Sequence, residues 1–244
     1  MISGVNPRIR VAIIAAVDFE LLQIARHLGI KYLNYQEPVK RDNVVLCLSG
    51  IGMVNAAIAA TIIAERFSPG LLISTGIGGA SRDSGLSGGD IAIADKEIYA
   101  DTGVRFIHRG KQGFQGLKEM GFPLIKKQGM ELFNEIPIEN AFIDTVMELS
   151  KEAGLKVKRG SFITLSATSG TEQIAREIAK KYNFICENME GAAVAHVATL
   201  YDIDFMEIRG ISNIAGDRDR RRWKTELATL NCQNLIMEFL RTLP

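Results

Sequence analysis

The sequence predicts an α/β fold, a layered domain with a largely buried central sheet. Two observations predict it. Apolar runs of strand length recur along the chain, and longer segments with helical spacing lie between them. No internal repeat or low-complexity linker interrupts the alternation, so residues 1–244 read as a single domain. The length and a hydrophobic content of 47% suffice for one large core, or at most two small ones.

Strands are expected at IRVAIIAAV, NVVLCLS, LLIST, DIAIAD, SFITLS and FMEIRGIS. They are short and mostly apolar, as strands buried on both faces are. Helices are expected over Asp18–Leu28, Met53–Phe67, Asn140–Ala153, Thr171–Lys181, Met189–Tyr201 and Lys224–Leu240. Residues 101–139 break the rhythm. They are rich in Gly, Lys, Phe and Pro, and read either as a functional loop or as an insertion with some helix of its own.

Three glycine-bearing turns are expected after strands. SGIGMVNAA (Ser49–Ala57) opens a helix with a G-x-G, but Asn55 takes the third glycine position and no acid ends the next strand. That weakens a dinucleotide-binding reading. TGIGGA (Thr75–Ala80) reads as a loop whose backbone either approaches a ligand or makes a tight turn. TSGT (Thr168–Thr171) leads into a helix.

Several classes of function are disfavoured. The 29 basic and 28 acidic residues nearly cancel, which does not suit a polyanion binder. Arg218, Arg220, Arg221 and Arg222 cluster, but Asp217 and Asp219 break the run, so a solvated loop or helix start is expected. Cys47, Cys186 and Cys232 are scattered thiols, and His27, His108 and His196 lack metal-ligand spacing. Neither a metal nor a cofactor is expected. The run Val11–Val17 is too short for a signal h-region, and no run reaches membrane-spanning length. A soluble, cytoplasmic protein without nucleic-acid or membrane partners is expected.

Two acids stand out. Glu190, in NMEGAAVAHVA (Asn188–Ala198), falls at the start of a small-residue helix, and Glu20 lies two residues after Asp18. Taken singly, each reads as a first-turn acid worth a few tenths of a kcal/mol, roughly, against the helix dipole.

Together the motifs say more. IAAVDFE, SGIGMVNAA, STGIGGA, ENMEGAAVAHVA and EIRGISN occur in this order. The chain resembles the nucleoside phosphorylase and nucleosidase superfamily, in particular its hydrolytic members, from about Val11 to the last helix. The resemblance implies a three-layer domain with a twisted, mixed, partly barrel-like central sheet flanked by helices. It also implies a homo-oligomer and a small nucleoside substrate.

Carried onto this sequence, the resemblance gives roles. Glu20 matches the carboxylate that positions and deprotonates the attacking water. Met189 and Glu190 match the pair at the ribose, Glu190 accepting from its hydroxyls. Thr75, Gly76, Ile77, Gly78 and Gly79 match a loop beside sugar and base. Ser169, Gly170, Gln173 and Ile174 match the segment bordering the purine, with Gln173 where adenine-specific relatives place a stacking aromatic. Asn213, with Ser212 before it, falls where those relatives place the acid that protonates N7.

The chemistry fits these roles. Glycosidic cleavage develops positive charge on the sugar, which carboxylates stabilise, and negative charge on the base, which donors stabilise. Phosphorolytic relatives carry G-D-P-x-R in the first loop and an Arg before the second glycine segment. Here AAVDFE and Ser74 stand instead, so water is the expected nucleophile. Adenine presents a donor beside N7, whereas a 6-oxopurine presents two acceptors, which an amide NH2 can serve. Asn213 thus favours hypoxanthine or guanine, unless it merely caps a turn before Gly216. EIYADTG (Glu97–Gly103) and SNIAGDRDRRRW (Ser212–Trp223) resemble the futalosine-cleaving subgroup. The carboxylate-bearing 5′ extension of that substrate needs a cation, for which Arg105, His108, Arg109, Lys111 and Arg218 are candidates. The alternatives are an inosine or guanosine phosphorylase, an adenine-specific methylthioadenosine/adenosylhomocysteine nucleosidase, and a non-catalytic nucleoside-binding module.

Overall fold

The computed structural model describes residues 10–108 and 111–243. The chain opens with strand β1 (Val11–Ala15), a single 3-10 turn at Asp18–Glu20, and helix α1 (Leu22–His27). Strands β2 (Val39–Arg41) and β3 (Val44–Leu48) precede α2 (Met53–Phe67), β4 (Leu71–Ala80) and β5 (Ile91–Tyr99). Next come the hairpin β6 (Gly103–His108) and β7 (Lys111–Gly116), and the short α3 (Leu117–Met120). A second small hairpin pairs β8 (Ile125–Lys127) with β9 (Met130–Leu132), and β10 (Glu135–Pro137) follows. The last part runs α4 (Phe142–Glu152), β11 (Val157–Thr164), α5 (Glu172–Tyr182), β12 (Cys186–Asn188), α6 (Gly191–Leu200), β13 (Asp204–Ile214) and α7 (Thr225–Thr242).

One nine-stranded mixed sheet organises the molecule, in the order β10-β5-β11-β12-β4-β1-β3-β2. Strand β13 pairs with β4 in parallel and with β5 antiparallel. Strands β5, β11, β12, β4 and β13 therefore close into a ring, the barrel-like part of the expected sheet. Helix α2 packs on α6 to one side, while α7 packs on β13, α4 and α1 on the other. The core is dominated by Ile, Leu, Val and Ala from the strands, as in Ile13, Leu46, Leu72, Ile93 and Ile208. A smaller cluster under α5 joins Ile98, Ile163, Leu165, Ala175 and Phe184. None of the described helices is long and apolar enough to cross a membrane.

Four expectations change. TGIGGA is not a turn: β4 runs unbroken to Ala80, because β13 supplies a parallel partner along its whole length. Its glycines serve close packing instead, as a Cβ at Gly78 would run into the Cys186 sulfur. The first helix is split at Leu21, where the tight Asp18–Glu20 turn ends. Helix α6 starts at Gly191, so Glu190 is its N-cap and not a first-turn residue. Residues 101–139 hold two hairpins and an edge strand besides a single helical turn.

Candidate active site

A cavity of about 410 Å³ opens where β1, β4, β12 and β13 end and the loop after β3 turns into α2. Glu20 reaches it from the tight turn after β1 and is only 4% exposed. Its Oε2 accepts the backbone N–H groups of Ala16 and Val17 at 3.1 and 3.2 Å. Its Oε1 accepts that of Ile77 at 2.9 Å. Burial pushes this carboxyl above its usual value, while Arg209 and the backbone donors pull the other way. Gly76 has φ +142°, and a Cβ there would sit 2.5 Å from Glu20 Oε1 and 2.9 Å from Arg209 Nη1. The missing side chain lets both charged groups lie over β4.

Arg209 is a cavity residue that the sequence reading did not single out. It projects from β13, is 2% exposed, and lines the cavity. Nε donates to Glu207 at 2.8 Å. Nη1 donates to the Ile77 carbonyl at 3.4 Å and faces Glu190 Oε2 at 3.5 Å. Nη2 donates to Ser74 Oγ at 3.3 Å and Asn188 Oδ1 at 3.5 Å. Of the five N–H donors of a guanidinium, four make these hydrogen bonds, and the contact with Glu190 is an ion pair. Burial works against its charge, but Glu207, Glu190 and Glu20 outweigh that and hold it protonated. A signal was available: Glu207 and Arg209 stand at alternate positions of an apolar run, which puts two charges on one face of the strand.

Glu190 is held from both sides. Its Oε1 accepts the backbone N–H of Gly52 at 3.0 Å, so the G-x-G loop fixes a carboxylate where a dinucleotide fold would cradle phosphate. Behind it lies a second polar layer. Glu97 accepts from Asn188 Nδ2 at 2.6 Å and from Thr164 Oγ1 at 2.8 Å. Burial and the neighbouring Glu207 push the Glu97 carboxyl well above its ordinary value. Glu207 Oε2, beside it, finds no hydrogen-bond partner among the described residues. A Cβ at Gly191 would run into both carboxylates, so the glycine after Glu190 makes room for the pair.

The far end of the cavity is built by β12 and β13. Asn213 lines it, with Oδ1 accepting the Ser212 hydroxyl at 2.7 Å. Its Nδ2 donates to the Ile214 carbonyl at 2.9 Å and to that of Asp217 at 3.5 Å. The amide thus caps the turn and faces the cavity at once. Glu187 lines the same end, its Oε2 taking the Ser169 hydroxyl at 2.6 Å. At the mouth stand Phe19, Ile51 and Trp223, with Arg218 stacked 5.1 Å above the Trp223 ring. Arg221 and Arg222 are instead paired with Asp219 and Asp217 at 2.8 Å.

The cavity gathers Glu20, Ile77, Gly78, Gly79, Met189, Glu190, Ser212 and Asn213 from the residues expected in the site. Gly76 acts from beneath. Thr75 does not line it; its hydroxyl meets Cys232 of α7 at 3.2 Å. Ser169 acts through Glu187, while Thr168 lines the wall next to it. Gly170, Gln173 and Ile174 are exposed, and Gln173 bonds Glu177 one turn along α5 at 3.1 Å. Thr171 caps α5, its hydroxyl accepting the Ile174 N–H, and none of these three residues lines the cavity. A second cavity of about 590 Å³ lies beside the β6–β7 hairpin and takes in Arg105, Phe114 and Lys181. It is larger but holds none of Glu20, Glu187, Glu190 or Arg209, so the smaller one is the candidate site. Arg109 and the Lys111 side chain lie outside the described residues, and His108 is exposed on the hairpin.

The family model that matches is that of the phosphorylase superfamily, over residues 10–241. The chain belongs to this superfamily. It is similar to futalosine hydrolase of Thermus thermophilus, at 32% identity over 190 residues and 78% of each chain. It is similar to 5′-methylthioadenosine/S-adenosylhomocysteine nucleosidase of Halalkalibacterium halodurans, at 28% identity over 206 residues, 83% of this chain and 82% of that one. Among solved structures, futalosine hydrolase of Helicobacter pylori has the same fold, with a TM-score of 0.76 at 16% identity, covering 96% of this chain and 97% of that chain. The superfamily and the fold are those that the five ordered motifs implied.

Proposed function

We propose that the substrate of this N-glycosidic hydrolase is a 6-oxopurine nucleoside, and futalosine in particular, released as hypoxanthine and dehypoxanthine futalosine in menaquinone biosynthesis. The choice of base rests on Asn213, an amide at the cavity end of β13. One of its N–H groups is held by Ile214, while the other makes only the 3.5 Å contact with Asp217. A purine O6 or N7 replaces that long contact readily. The similarity to the Thermus thermophilus futalosine hydrolase supports the same choice.

In this reading Glu20 orients a water over C1′ and takes its proton as the C–O bond forms. Glu190 accepts from the ribose hydroxyls, and the two carboxylates stabilise the oxocarbenium-like sugar. Asn213 steadies the departing base by hydrogen bonding, and water supplies its proton, since an amide has none to give. Phosphate is a poor fit. Arg209 is already engaged by four hydrogen bonds, and three carboxylates, Glu20, Glu190 and Glu207, offset its charge. The exposed Arg218 and Arg220 at the rim suit the carboxylate of a 5′ extension.

Incubation with futalosine, inosine and methylthioadenosine, with and without phosphate, tests the proposal. The expected result is hypoxanthine released from futalosine without phosphate. Preferred release of adenine, or strict dependence on phosphate, overturns it.

A further inference from the structure

We infer that Gln233, a buried amide on α7, is a positioning residue for Glu20: it grips the Phe19–Glu20 peptide and the first turn of α1, and so keeps the carboxylate aimed into the cavity. This rests on the reading of Glu20 as the base of a nucleoside hydrolysis.

The segment behind Glu20 lacks a local partner for its backbone. Helix α1 starts at Leu22 with Leu21 as its N-cap, and a leucine offers no side-chain acceptor to the free N–H groups of the first turn. Gln233 supplies one from α7, 210 residues beyond Gln23. Its Oε1 accepts the backbone N–H of Gln23 at 2.8 Å and that of Ile24 at 3.3 Å. Its Nε2 donates to the Phe19 carbonyl at 3.1 Å and to that of Thr229 at 3.4 Å. The residue is 1% exposed, so both ends of the amide are satisfied inside the protein.

The bond to Phe19 bears on Glu20 directly. The Phe19 carbonyl and the Glu20 N–H belong to one peptide unit, and that N–H donates to the Val17 carbonyl at 3.2 Å. Both ends of the unit are therefore held, one by the turn itself and one by α7. This hold opposes a real force, because Glu190 and Glu20 share the charge of Arg209 and repel each other. A general base must lie within hydrogen-bond reach of the proton it takes. A misplacement of about 1 Å costs roughly 100-fold in rate. An apolar residue at position 233 would fill the space between α7 and α1 but hold neither the carbonyl nor the two N–H groups.

A double-mutant cycle between Gln233→Met and Glu20→Ala separates positioning from packing. Methionine keeps the length and bulk of the side chain and removes the amide. With futalosine as substrate and folding checked by circular dichroism, Gln233→Met is expected to lower kcat roughly 100-fold, with KM within a few-fold. In the Glu20→Ala background the same change is expected to cost no more than a few-fold, because no base is left to misplace. An equal loss in both backgrounds marks Gln233 as merely structural and overturns the inference. So does a folded Gln233→Met whose kcat stays within a few-fold of the unmodified protein. If Gln233→Met does not fold, Gln233→Glu takes its place in the cycle, since it keeps an acceptor for α1 and loses the donor to Phe19. If the unmodified protein cleaves methylthioadenosine and not futalosine, the proposed substrate falls, and the cycle run on methylthioadenosine still decides the role of Gln233. Cleavage of neither overturns the proposed function and this inference with it.

Discussion

Ser74 Oγ accepts an N–H of Arg209 at 3.3 Å, so the serine standing where phosphorolytic relatives carry an arginine serves a different arginine, rooted in β13. That bond is one of four that Arg209 donates. It makes the guanidinium a fixed structural charge that holds Glu190 and Glu207 in place rather than an anion receptor.

Arg209→Lys tests the fixed charge. A lysine offers three donors from one point and cannot span Glu207, Ser74 and Glu190 together. Leaving buried carboxylates without their partner costs about 3–5 kcal/mol. Chemical denaturation is expected to show a loss of that size. A loss below about 1 kcal/mol, the scale of an exposed pair, contradicts the assignment.

Glu20→Ala is expected to lower kcat roughly a hundred- to ten-thousand-fold, the range for a positioned general base. Substrate affinity, measured by calorimetry, stays within a few-fold. The working form is the carboxylate, so kcat/KM falls as pH drops through its folded pKa. Burial raises that pKa, which places the acid limb above the ordinary 4.5. Persistence of the rate within a few-fold would make Glu20 structural.

Glu97→Gln probes the buried proton. A raised carboxyl pKa means that the folded state holds its proton to higher pH than the unfolded chain does. The stability linked to Glu97 is therefore fully present below about 4.5 and is lost as pH rises through the folded value. Glutamine mimics the protonated acid and does not titrate. The melting temperature of Glu97→Gln is expected to exceed that of the unmodified protein increasingly as pH rises, the gap closing on acidification. Parallel pH curves for the two proteins contradict a raised Glu97 carboxyl.

Asn213→Asp places a carboxylate against the Ile214 and Asp217 carbonyls that the amide now serves. It also removes the donor proposed for O6 and N7. The kcat/KM for 6-oxopurine nucleosides is expected to fall about 10-fold or more, the worth of one charge-assisted bond, with adenine nucleosides gaining relative to them. An unchanged base preference refutes the pairing of amide with 6-oxo base.

Local pattern carried much of this structure. Helix α2 occupies Met53–Phe67, the span its apolar spacing predicts, and the six expected strands all form. The acids Glu20 and Glu190 and the amide Asn213 were legible through the five ordered motifs that carry the resemblance, since each acid alone reads as a first-turn residue. What escaped depended on partners far away in sequence. The glycines of TGIGGA look like a turn until β13, over a hundred residues on, supplies the ladder that makes them strand. Arg209 looks like a stray charge until Ser74, Ile77, Asn188, Glu190 and Glu207 surround it. Glu187 looks like one acid in ICENME until the rung through Gly79 sets it beside Asn213. Gln173 and Ile174 show the opposite case, expected at the purine but exposed on the first turn of α5 and absent from the cavity wall.

Water as the nucleophile is tested most directly by turning over futalosine in 18O-enriched water, with and without phosphate, and weighing the sugar product. One 18O at C1 of the freed sugar is expected, at a rate that phosphate does not alter. A sugar 1-phosphate without the label, formed only when phosphate is present, would contradict it.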